Sequence, residues 1–540
     1  MSRAEPFLLA VIFVLFSGAY GALSWLAGGL YLDTHEGDSY HLLDVLTRMS
    51  RGETPHVDFV TPLGALAFWP MSWFMQFGVS AGMAMIYAQV LVAGALFPIV
   101  LYAAATRLPR GLAIYFGMLV LGLVLALSYG TATSGVGISM HYNRWAWSIA
   151  FVLLLVVFVP SRTAYRPFLE GVFVGLLVAC LALLKVTYFV ALAPVAALAL
   201  WQMHKGRGVI AAVVSGLLIA TIVTIQEGFA FWFAYLSDLR LVAGNDIRPF
   251  VGTTFDQILA GPSYIGGTLA AVAAALVIRV TQPTVTGIAA FLLVPGLLYI
   301  TYQNFGNDPQ WLMVLPVLVL ALRPAPGTST LFGIDAHRVA QFTALAAFVL
   351  IFPSLFNVML SPIKHASFDK ARFIPMLPED AGHQDIFVRR DRAYMMTAQV
   401  FRDQEAGPWA PYEVEAGRAP VPVFEGVSFP FCQWQAGSRA LLETLGAQLS
   451  DANLPEGSRL FTADLLAAYW FFATVRPPEG SAPWYYGQLT GLENTDYVMV
   501  PKCAFTAHGR NTILGELSQS NEMFTLVLDN ELLALFRVDR

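Results

Sequence analysis

The chain has 540 residues, of which 57% are hydrophobic and only 12% are charged, and its formal net charge is −5. Ordinary soluble domains carry about 25% charged residues, so this composition excludes a protein that is soluble throughout. The slight negative charge and the lack of a basic run argue against a nucleic-acid partner.

The charged residues divide the chain into two parts. Residues 1–360 contain 14 acidic and 16 basic side chains, whereas residues 361–540 contain 22 acidic and 15 basic ones. The first part has the composition of a membrane domain, and the second has that of a soluble domain. We predict an all-α polytopic membrane domain over residues 1–360 and a small α/β soluble domain over residues 361–540.

The apolar runs of the first part predict about eleven transmembrane helices. In lipid every backbone polar group must be paired within the protein, and a helix of about 20 apolar residues achieves this. The runs lie near residues 7–31, 81–105, 111–129, 145–160, 168–185, 187–202, 209–226, 263–279, 285–302, 311–322 and 338–358. The first run is too long for a secretory signal and has no cleavage site after it, so we predict that it remains as a helix.

The distribution of Lys and Arg between the loops predicts the orientation. With a cytoplasmic N-terminus, ten basic residues fall on the cytoplasmic side and five on the opposite side, as the positive-inside rule requires. An odd number of spans then places the C-terminal domain outside. We predict a bacterial inner-membrane protein with a periplasmic domain, in which Cys432 and Cys503 could form a disulfide or remain thiols.

Two long loops face the outside in this topology, over residues 33–80 and 226–262. The first alternates polar clusters with apolar stretches, and the second contains an aromatic, amphipathic segment over residues 229–241. Such segments are typical of helices that lie along a membrane surface.

Hydrophobic periodicity in the C-terminal domain predicts a mixture of helices and strands. We predict helices over 438–450 and 464–472, strands over 459–462 and 496–500, and a hairpin of strands 524–528 and 532–538. The pair Asp529-Asn530 supplies the hairpin turn.

The acidic residues of the membrane domain are concentrated in the first outer loop. Six of the fourteen lie between Asp33 and Asp58, and Glu36 and Asp38 directly follow the first helix. Carboxylates at this place could act as a general base on a hydroxyl or hold a divalent cation such as Mg²⁺ or Mn²⁺. The alternative is a solvated loop that happens to be acidic, although three histidines in the same loop favour a functional role.

The loop carries an acidic pair after the first helix, a Tyr two residues on, a Gly, and then Asp-Phe-x-x-Pro-x-Gly. The residues concerned are Glu36, Asp38, Tyr40, Gly52, Asp58, Phe59, Pro62 and Gly64. This pattern resembles the first outer loop of the GT-C superfamily. The members of this superfamily are polytopic glycosyltransferases that use polyprenyl-phosphate-linked sugars. The acidic pair is adjacent in the lipid A aminoarabinose and protein O-mannosyl branches, whereas Gly37 separates it here.

The resemblance implies a GT-C-like fold and an inverting sugar transfer. Asp38 or Glu36 would deprotonate a hydroxyl on a glycan, lipid or protein acceptor, and this hydroxyl would attack the anomeric carbon in line. The first loop supplies further candidates for substrate binding, namely Tyr40, His41, His56 and Asp58.

The leaving phosphate of such a transfer needs cations to stabilise it, and Arg144 and Lys185 are the candidates. Lys185 interrupts a long apolar stretch, where a Lys costs about 2.5–3.5 kcal/mol on insertion. Alternatively, the side chain of Lys185 extends from a helix end to the membrane surface without a role in binding. Arg144 could likewise serve only as an anchor at the membrane interface. Their neighbours His141 and Tyr188 are candidates for substrate binding.

A polar segment over residues 302–311 separates two apolar runs. It could serve only as a tight turn, or it could line the same outer cavity and bind sugar hydroxyls through Asn304, Asp308 and Gln310. Weaker candidates in the second long loop are Asn245, Asp246 and Arg248.

Other functional classes remain as alternatives. The sequence contains no P-loop, dinucleotide-binding glycine motif, HExxH motif or Cys/His zinc spacing, which argues against an ATP-driven pump and a metalloprotease. A transporter or flippase with an outer domain would carry polar residues deep in several spans, and these are nearly absent. An oligosaccharide polymerase or ligase would share the lipid-linked substrates.

Overall fold

The computed structural model describes residues 4–163, 166–244, 247, 254, 256, 260–304, 307–328, 333–401 and 420–540. The first part of the chain is mostly helical. Its elements are α1 (Ala4–Leu26), β1 (Leu30–Leu32), α2 (Glu36–Ser50), α3 (Trp69–Gln76), α4 (Ala81–Arg107), α5 (Arg110–Leu125), α6 (His141–Phe158), α7 (Pro167–Leu184), α8 (Val186–Glu227), α9 (Ala230–Ala243), α10 (Pro262–Thr281), α11 (Thr284–Gln303), α12 (Leu315–Ala321) and α13 (Ala336–Ala366).

Nine helical segments among the described residues are long and apolar enough to cross a membrane. Helix α8 contains two of them, Val186–Met203 and Gly206–Glu227. Two shorter apolar helices, Arg110–Leu125 and Gln310–Ala321, correspond to the remaining predicted spans. The predicted helical membrane domain is confirmed, and the protein is a multi-pass membrane protein.

The chain divides into two compact units. Unit 1 comprises Met1–His35, Leu63–Phe229 and Phe250–Phe368, and unit 2 comprises Glu36–Pro62, Ala230–Pro249 and Asp369–Arg540. Segments of both long loops therefore belong to the same compact unit as the C-terminal part. These segments contain α2 and α9, so the helices expected in the loops are present; their position along a membrane surface stays a prediction.

A buried ion pair holds three helices of unit 1 together at one end. Nη2 of Arg107 lies 2.6 Å from Oε1 of Glu170, and Nε of Arg107 donates to the carbonyl of Val159 at 2.9 Å. Both charged side chains are almost fully buried, and each has a partner, as a buried charge requires. The pair links the last turn of α4, the end of α6 and the first turn of α7.

The C-terminal part of unit 2 combines short helices with strands, as predicted. Its elements are β2 (Phe373–Pro375), β3 (Ile386–Arg389), α14 (Arg390–Tyr394), β4 (Thr397–Val400), β5 (Val423–Phe424), β6 (Val427–Ser428), β7 (Cys432–Ala436), α15 (Ser438–Asp451), β8 (Leu460–Thr462), β9 (Tyr497–Pro501), α16 (Ala507–Ser518), β10 (Met523–Asp529) and β11 (Leu533–Asp539). The largest sheet has the strand order β10-β11-β9-β8. Strands β8 and β9 are parallel, and the other two pairs are antiparallel.

One predicted element differs from the structure. The segment 464–472 is not one helix, because irregular chain precedes a 3₁₀ turn at Ala468–Phe472. The buried carboxylate of Asp464 accepts hydrogen bonds from the backbone N–H groups of Leu465 and Phe505, both at 2.7 Å. Such side-chain bonds to the backbone compete with helix formation. Helix α16 was not predicted from the sequence.

A disulfide joins Cys432 of β7 to Cys503, which follows β9, with their Cα atoms 4.5 Å apart. The two residues are 71 positions apart, so the bond removes much freedom from the unfolded chain. We predict that replacing both cysteines by Ala lowers the free energy of unfolding by about 2–4 kcal/mol. The midpoint of thermal unfolding in detergent measures this effect. Cys180→Ala in α7 is the control, and an equal shift in that variant would contradict the prediction.

Candidate functional site

Lys185 lies at a break between two membrane-spanning helices of unit 1. Helix α7 ends at Leu184 and α8 begins at Val186, and the backbone of Lys185 is extended, with φ −158° and ψ 111°. The side chain is half-buried. The apolar runs on both sides of Lys185 are thus separate helices, and the ammonium group lies at their junction.

The ammonium group contacts amide and aromatic groups. Its Nζ donates to Oδ1 of Asn304 and, at 3.3 Å, to Oδ1 of Asn143, and it lies 5.3 Å from the centre of the Tyr142 ring. Within the part of the chain that the structure describes, no carboxylate forms an ion pair with Lys185. Neutral partners hold the ammonium group but leave its charge uncompensated, so an anion would be a favourable ligand.

Asn304 is oriented for this contact by Tyr188. Asn304 follows the last residue of α11 and is buried. Its Nδ2 donates to the hydroxyl of Tyr188 at 2.9 Å, and the Tyr188 ring packs 4.9 Å from that of Trp147. The structure therefore brings three of the predicted site residues together, Lys185, Tyr188 and Asn304.

The glycine that ends the first-loop motif packs against the same break. The N–H of Gly64 donates to the carbonyl of Leu184 at 3.2 Å. A Cβ at position 64 would collide with the backbone of Leu183, so only glycine permits this close approach. The end of the motif thus supports the junction at which Lys185 lies.

Arg144 is fully buried near the start of α6 and binds the backbone. Its Nη1 donates to the carbonyl of Ser128 at 2.6 Å, and its Nη2 donates to that of Ala126 at 2.8 Å. Both carbonyls belong to the loop between α5 and α6. These hydrogen bonds fix the α5–α6 loop against the start of α6, so Arg144 stabilises this loop. The binding of phosphate by Arg144 stays a prediction.

Asp308 and Gln310 contact the same α5–α6 loop. Nε2 of Gln310 donates to the carbonyl of Gly130 at 3.0 Å, and Oδ2 of Asp308 accepts from the N–H of Ala132 at 2.8 Å. The two residues converge on this loop at the end of unit 1 that contains Lys185. Their binding of sugar hydroxyls stays a prediction.

Asp33 and Lys364 form an ion pair that the sequence analysis missed. Nζ of Lys364 lies 2.9 Å from Oδ2 of Asp33, and Oδ1 of Asp33 accepts from the N–H of Val136 at 2.6 Å. No local pattern could identify a partner 331 positions away. The pair fastens the chain after β1 to the α5–α6 loop.

His141 packs against neighbouring residues of unit 1. It is buried, and its Nε2 lies 2.8 Å from the carbonyl oxygen of Ala67. Its ring also packs 5.0 Å from that of Trp145. These contacts fix the start of α6, and a contact of His141 with substrate stays a prediction.

In unit 2, Glu36 and Asp38 lie in the first turn of α2, where the helix dipole favours negative charge. Both carboxylate oxygens of Glu36 accept hydrogen bonds from the guanidinium group of Arg392, one of them at 2.8 Å. Asp38 is half-buried. Arg392 thus holds Glu36 at two points, and the role of Asp38 or Glu36 as general base stays a prediction.

Tyr40 and His41, the next two candidates on α2, pack against the C-terminal part of unit 2. The hydroxyl of Tyr40 donates to the carbonyl of Met376 at 3.0 Å, and burial raises the pKa of Tyr40. The ring of His41 lies 5.6 Å from that of Trp484. Tyr40 thus anchors α2, and the substrate contacts of both residues stay predictions.

A buried network missed by the sequence analysis also anchors α2. Oδ1 of Asp44 lies 2.7 Å from Nε of Arg48, and its Oδ2 accepts from Nε1 of Trp470 at 2.9 Å. Nη2 of Arg48 donates to Oγ of Ser481 at 3.0 Å. These bonds tie the helix that carries Glu36 and Asp38 to the 470–481 segment.

We predict that Arg48→Met strongly destabilises unit 2, because it leaves the buried carboxylate of Asp44 without its cation. Breaking one half of a buried ion pair costs about 3–5 kcal/mol. The midpoint of thermal unfolding and the protease resistance of the detergent-solubilised protein should both fall. Arg390→Met, which changes an exposed arginine of α14, is the control. A midpoint equal to that of the wild type would show that the network is dispensable.

His56 and Asp238 form a buried pair between the first loop and α9. Nδ1 of His56 lies 2.8 Å from Oδ2 of Asp238, which also accepts from the N–H of Thr61 at 3.1 Å. Burial raises the pKa of Asp238, and the hydrogen bonds from His56 and Thr61 oppose this shift. Asp58 caps a turn by accepting from the N–H of Thr54 at 2.7 Å.

No group of three or more His, Cys, Asp or Glu side chains within the described ranges is placed to hold a metal ion. The divalent cation therefore stays a prediction. Three weaker candidates lie outside the described residues, namely Asn245, Asp246 and Arg248.

No family model matches the sequence, and no curated protein matches it. Among solved structures, the chain is similar to the apo-state crystal structure of ArnT from Cupriavidus metallidurans, with 10% sequence identity over 97% of both chains and a TM-score of 0.37. A TM-score this low carries no argument about activity.

Proposed function

We propose that the protein is a membrane glycosyltransferase that transfers a sugar from a polyprenyl-phosphate carrier to an acceptor hydroxyl on the outer face of the membrane. The observation that carries this proposal is the environment of Lys185. Its ammonium group lies at a break between membrane-spanning helices, bound by two amide oxygens and by no carboxylate of the described residues.

A lipid-linked phosphate is the anion that suits this place. It would approach from the membrane with its charge at the helix ends, and an ammonium group in a partly dehydrated setting would attract it more strongly than in water. A cation of this kind also stabilises the charge that develops on the leaving phosphate. Asn143 and Asn304 would keep the ammonium group in position while the phosphate binds.

The carboxylates of α2 would supply the base. Asp38 would accept the proton of the acceptor hydroxyl, whose oxygen would attack the anomeric carbon as the bond from that carbon to the phosphate oxygen breaks. The products are the glycosylated acceptor, with inverted configuration, and the polyprenyl phosphate. Glu36, held by Arg392, would act as a positioning residue for this turn of α2.

The compartment proposed is the bacterial periplasm, with the N-terminus in the cytoplasm. Disulfides persist in oxidising compartments, and the Cys432–Cys503 bond in unit 2 supports this placement. An enzyme there would act in the assembly of cell-envelope glycans or glycolipids, with a glycan, lipid or protein as acceptor.

The test uses purified protein in nanodiscs and a set of radiolabelled polyprenyl-phosphate sugars, with a crude cell-envelope fraction as the source of acceptor. We expect label to move from the lipid fraction to the acceptor only when the protein is present. A transporter or flippase would instead move the labelled lipid across the bilayer of a vesicle without cleaving it. Translocation without transfer, for every donor in the set, would overturn the proposal.

A further inference from the structure

Unit 2 contains a polar cavity of about 350 Å³ that none of the roles above uses. This volume lies at the lower end of the roughly 300–1,000 Å³ that is typical of small-molecule sites. The polar residues of its walls include Asp238, Arg240, Tyr486, Gln488, Thr490 and Glu516. Helix α9 supplies the first two, and the segment between β8 and β9 supplies the next three.

The walls of the cavity are held in place by hydrogen bonds. The α9 wall is fixed through Asp238, which binds His56 and the N–H of Thr61. On the opposite wall, Glu516 accepts from the hydroxyl of Tyr485, and this hydroxyl accepts from the N–H of Leu489 at 2.8 Å. A preformed cavity binds a ligand with little loss of side-chain freedom.

Several polar groups of the walls retain capacity for a ligand. Oγ1 of Thr490 is buried and has no hydrogen-bond partner among the described residues, a situation that is unfavourable until a ligand or water occupies it. The guanidinium group of Arg240 has no carboxylate partner within the same ranges. Gln488 is exposed and offers both a donor and an acceptor.

The charges of the walls identify the class of ligand. The charged residues of the walls are one guanidinium group, Arg240, and two carboxylates, Asp238 and Glu516, so the cavity has no excess of positive charge. Such walls are poorly suited to a phosphate. Alternating donors and acceptors beside an aromatic side chain, here Tyr486, suit a ligand that is rich in hydroxyl groups and carries no charge.

We infer that this cavity is a binding subsite for a short neutral saccharide. Hydroxyl groups of the sugar would pair with Arg240, Gln488, Thr490 and Glu516. The inference rests on the proposed function in one respect, namely that the saccharide would be part of the glycan acceptor.

The test measures binding of named saccharides to the full-length protein in detergent, without any donor. The probes are N-acetylglucosamine, maltose, cellobiose and lactose, with glucose 6-phosphate as the anionic comparison, and the methods are saturation-transfer NMR and calorimetry. The variant is Arg240→Gln, which removes the guanidinium group, combined with Thr490→Val, which keeps the shape of the side chain but removes its hydroxyl. Arg537→Gln, an exposed arginine on β11, is the matched control.

We expect at least one neutral saccharide to bind to the wild type and to the control, and the double variant to bind it about tenfold more weakly. The inference is overturned if no neutral saccharide binds, if only glucose 6-phosphate binds, or if the double variant binds as the wild type does. The wild type could bind a saccharide in this cavity and yet show no transferase activity. That result would refute the proposed function but not the binding subsite.

Discussion

Replacing Lys185 by Met should reduce sugar transfer by at least about 100-fold, which is the effect of removing one group that stabilises charge in a transition state. Methionine has a similar length but no charge. The variant therefore loses the attraction between the ammonium group and the phosphate of the donor. The initial rate of transfer from a radiolabelled polyprenyl-phosphate sugar in nanodiscs measures the effect.

Two further variants separate charge from packing. Lys185→Arg keeps the positive charge and should retain a measurable part of the rate. Arg279→Met removes an exposed arginine from the last turn of α10. Arg279 lies next to the start of α11, whereas Asn304 follows the end of α11. This variant should leave the rate unchanged. Unlabelled polyprenyl phosphate should compete with the labelled donor less strongly in Lys185→Met than in the wild type or in the other two variants. If Lys185→Met changes neither this competition nor the rate of transfer, the central support of the proposed function is lost.

Asp38→Asn should lower the rate of transfer by about 100- to 10,000-fold, the range observed for removal of a general base. Asparagine has the same shape but cannot accept the proton of the acceptor hydroxyl. Expression, membrane insertion and thermal stability should stay close to those of the wild type, because Asp38 is only half-buried. Glu531→Gln, an exposed carboxylate in the β10–β11 turn, is the matched control.

Glu36→Gln tests the second carboxylate. If Glu36 acts through its ion pair with Arg392, then Glu36→Gln and Arg392→Met should lower the rate to a similar extent, and the double variant should lower it no further. If Glu36 is itself the base, Glu36→Gln should be far more damaging than Arg392→Met. Rates like that of the wild type in both Asp38→Asn and Glu36→Gln would reject the catalytic assignment of α2.

Much of the fold follows from local sequence pattern. Apolar runs near the length of a membrane determined the helices of unit 1, and alternation around Asp529-Asn530 determined the β10–β11 hairpin, because both patterns act over a few neighbouring residues. The 464–472 segment departs from its pattern because Asp464 receives hydrogen bonds from Phe505, a residue 41 positions away. Local propensity has no access to such a contact.

The chemistry of the site divides in the same way. The sequence by itself determined that Lys185 interrupts an apolar stretch and that Glu36 and Asp38 follow the first helix, since these are properties of composition and order. Only the tertiary structure decided that Asn304, 119 positions away, binds Lys185, and that Arg392, 356 positions away, binds Glu36. Contacts over such separations arise from the packing of whole helices and strands, which no single stretch of sequence specifies.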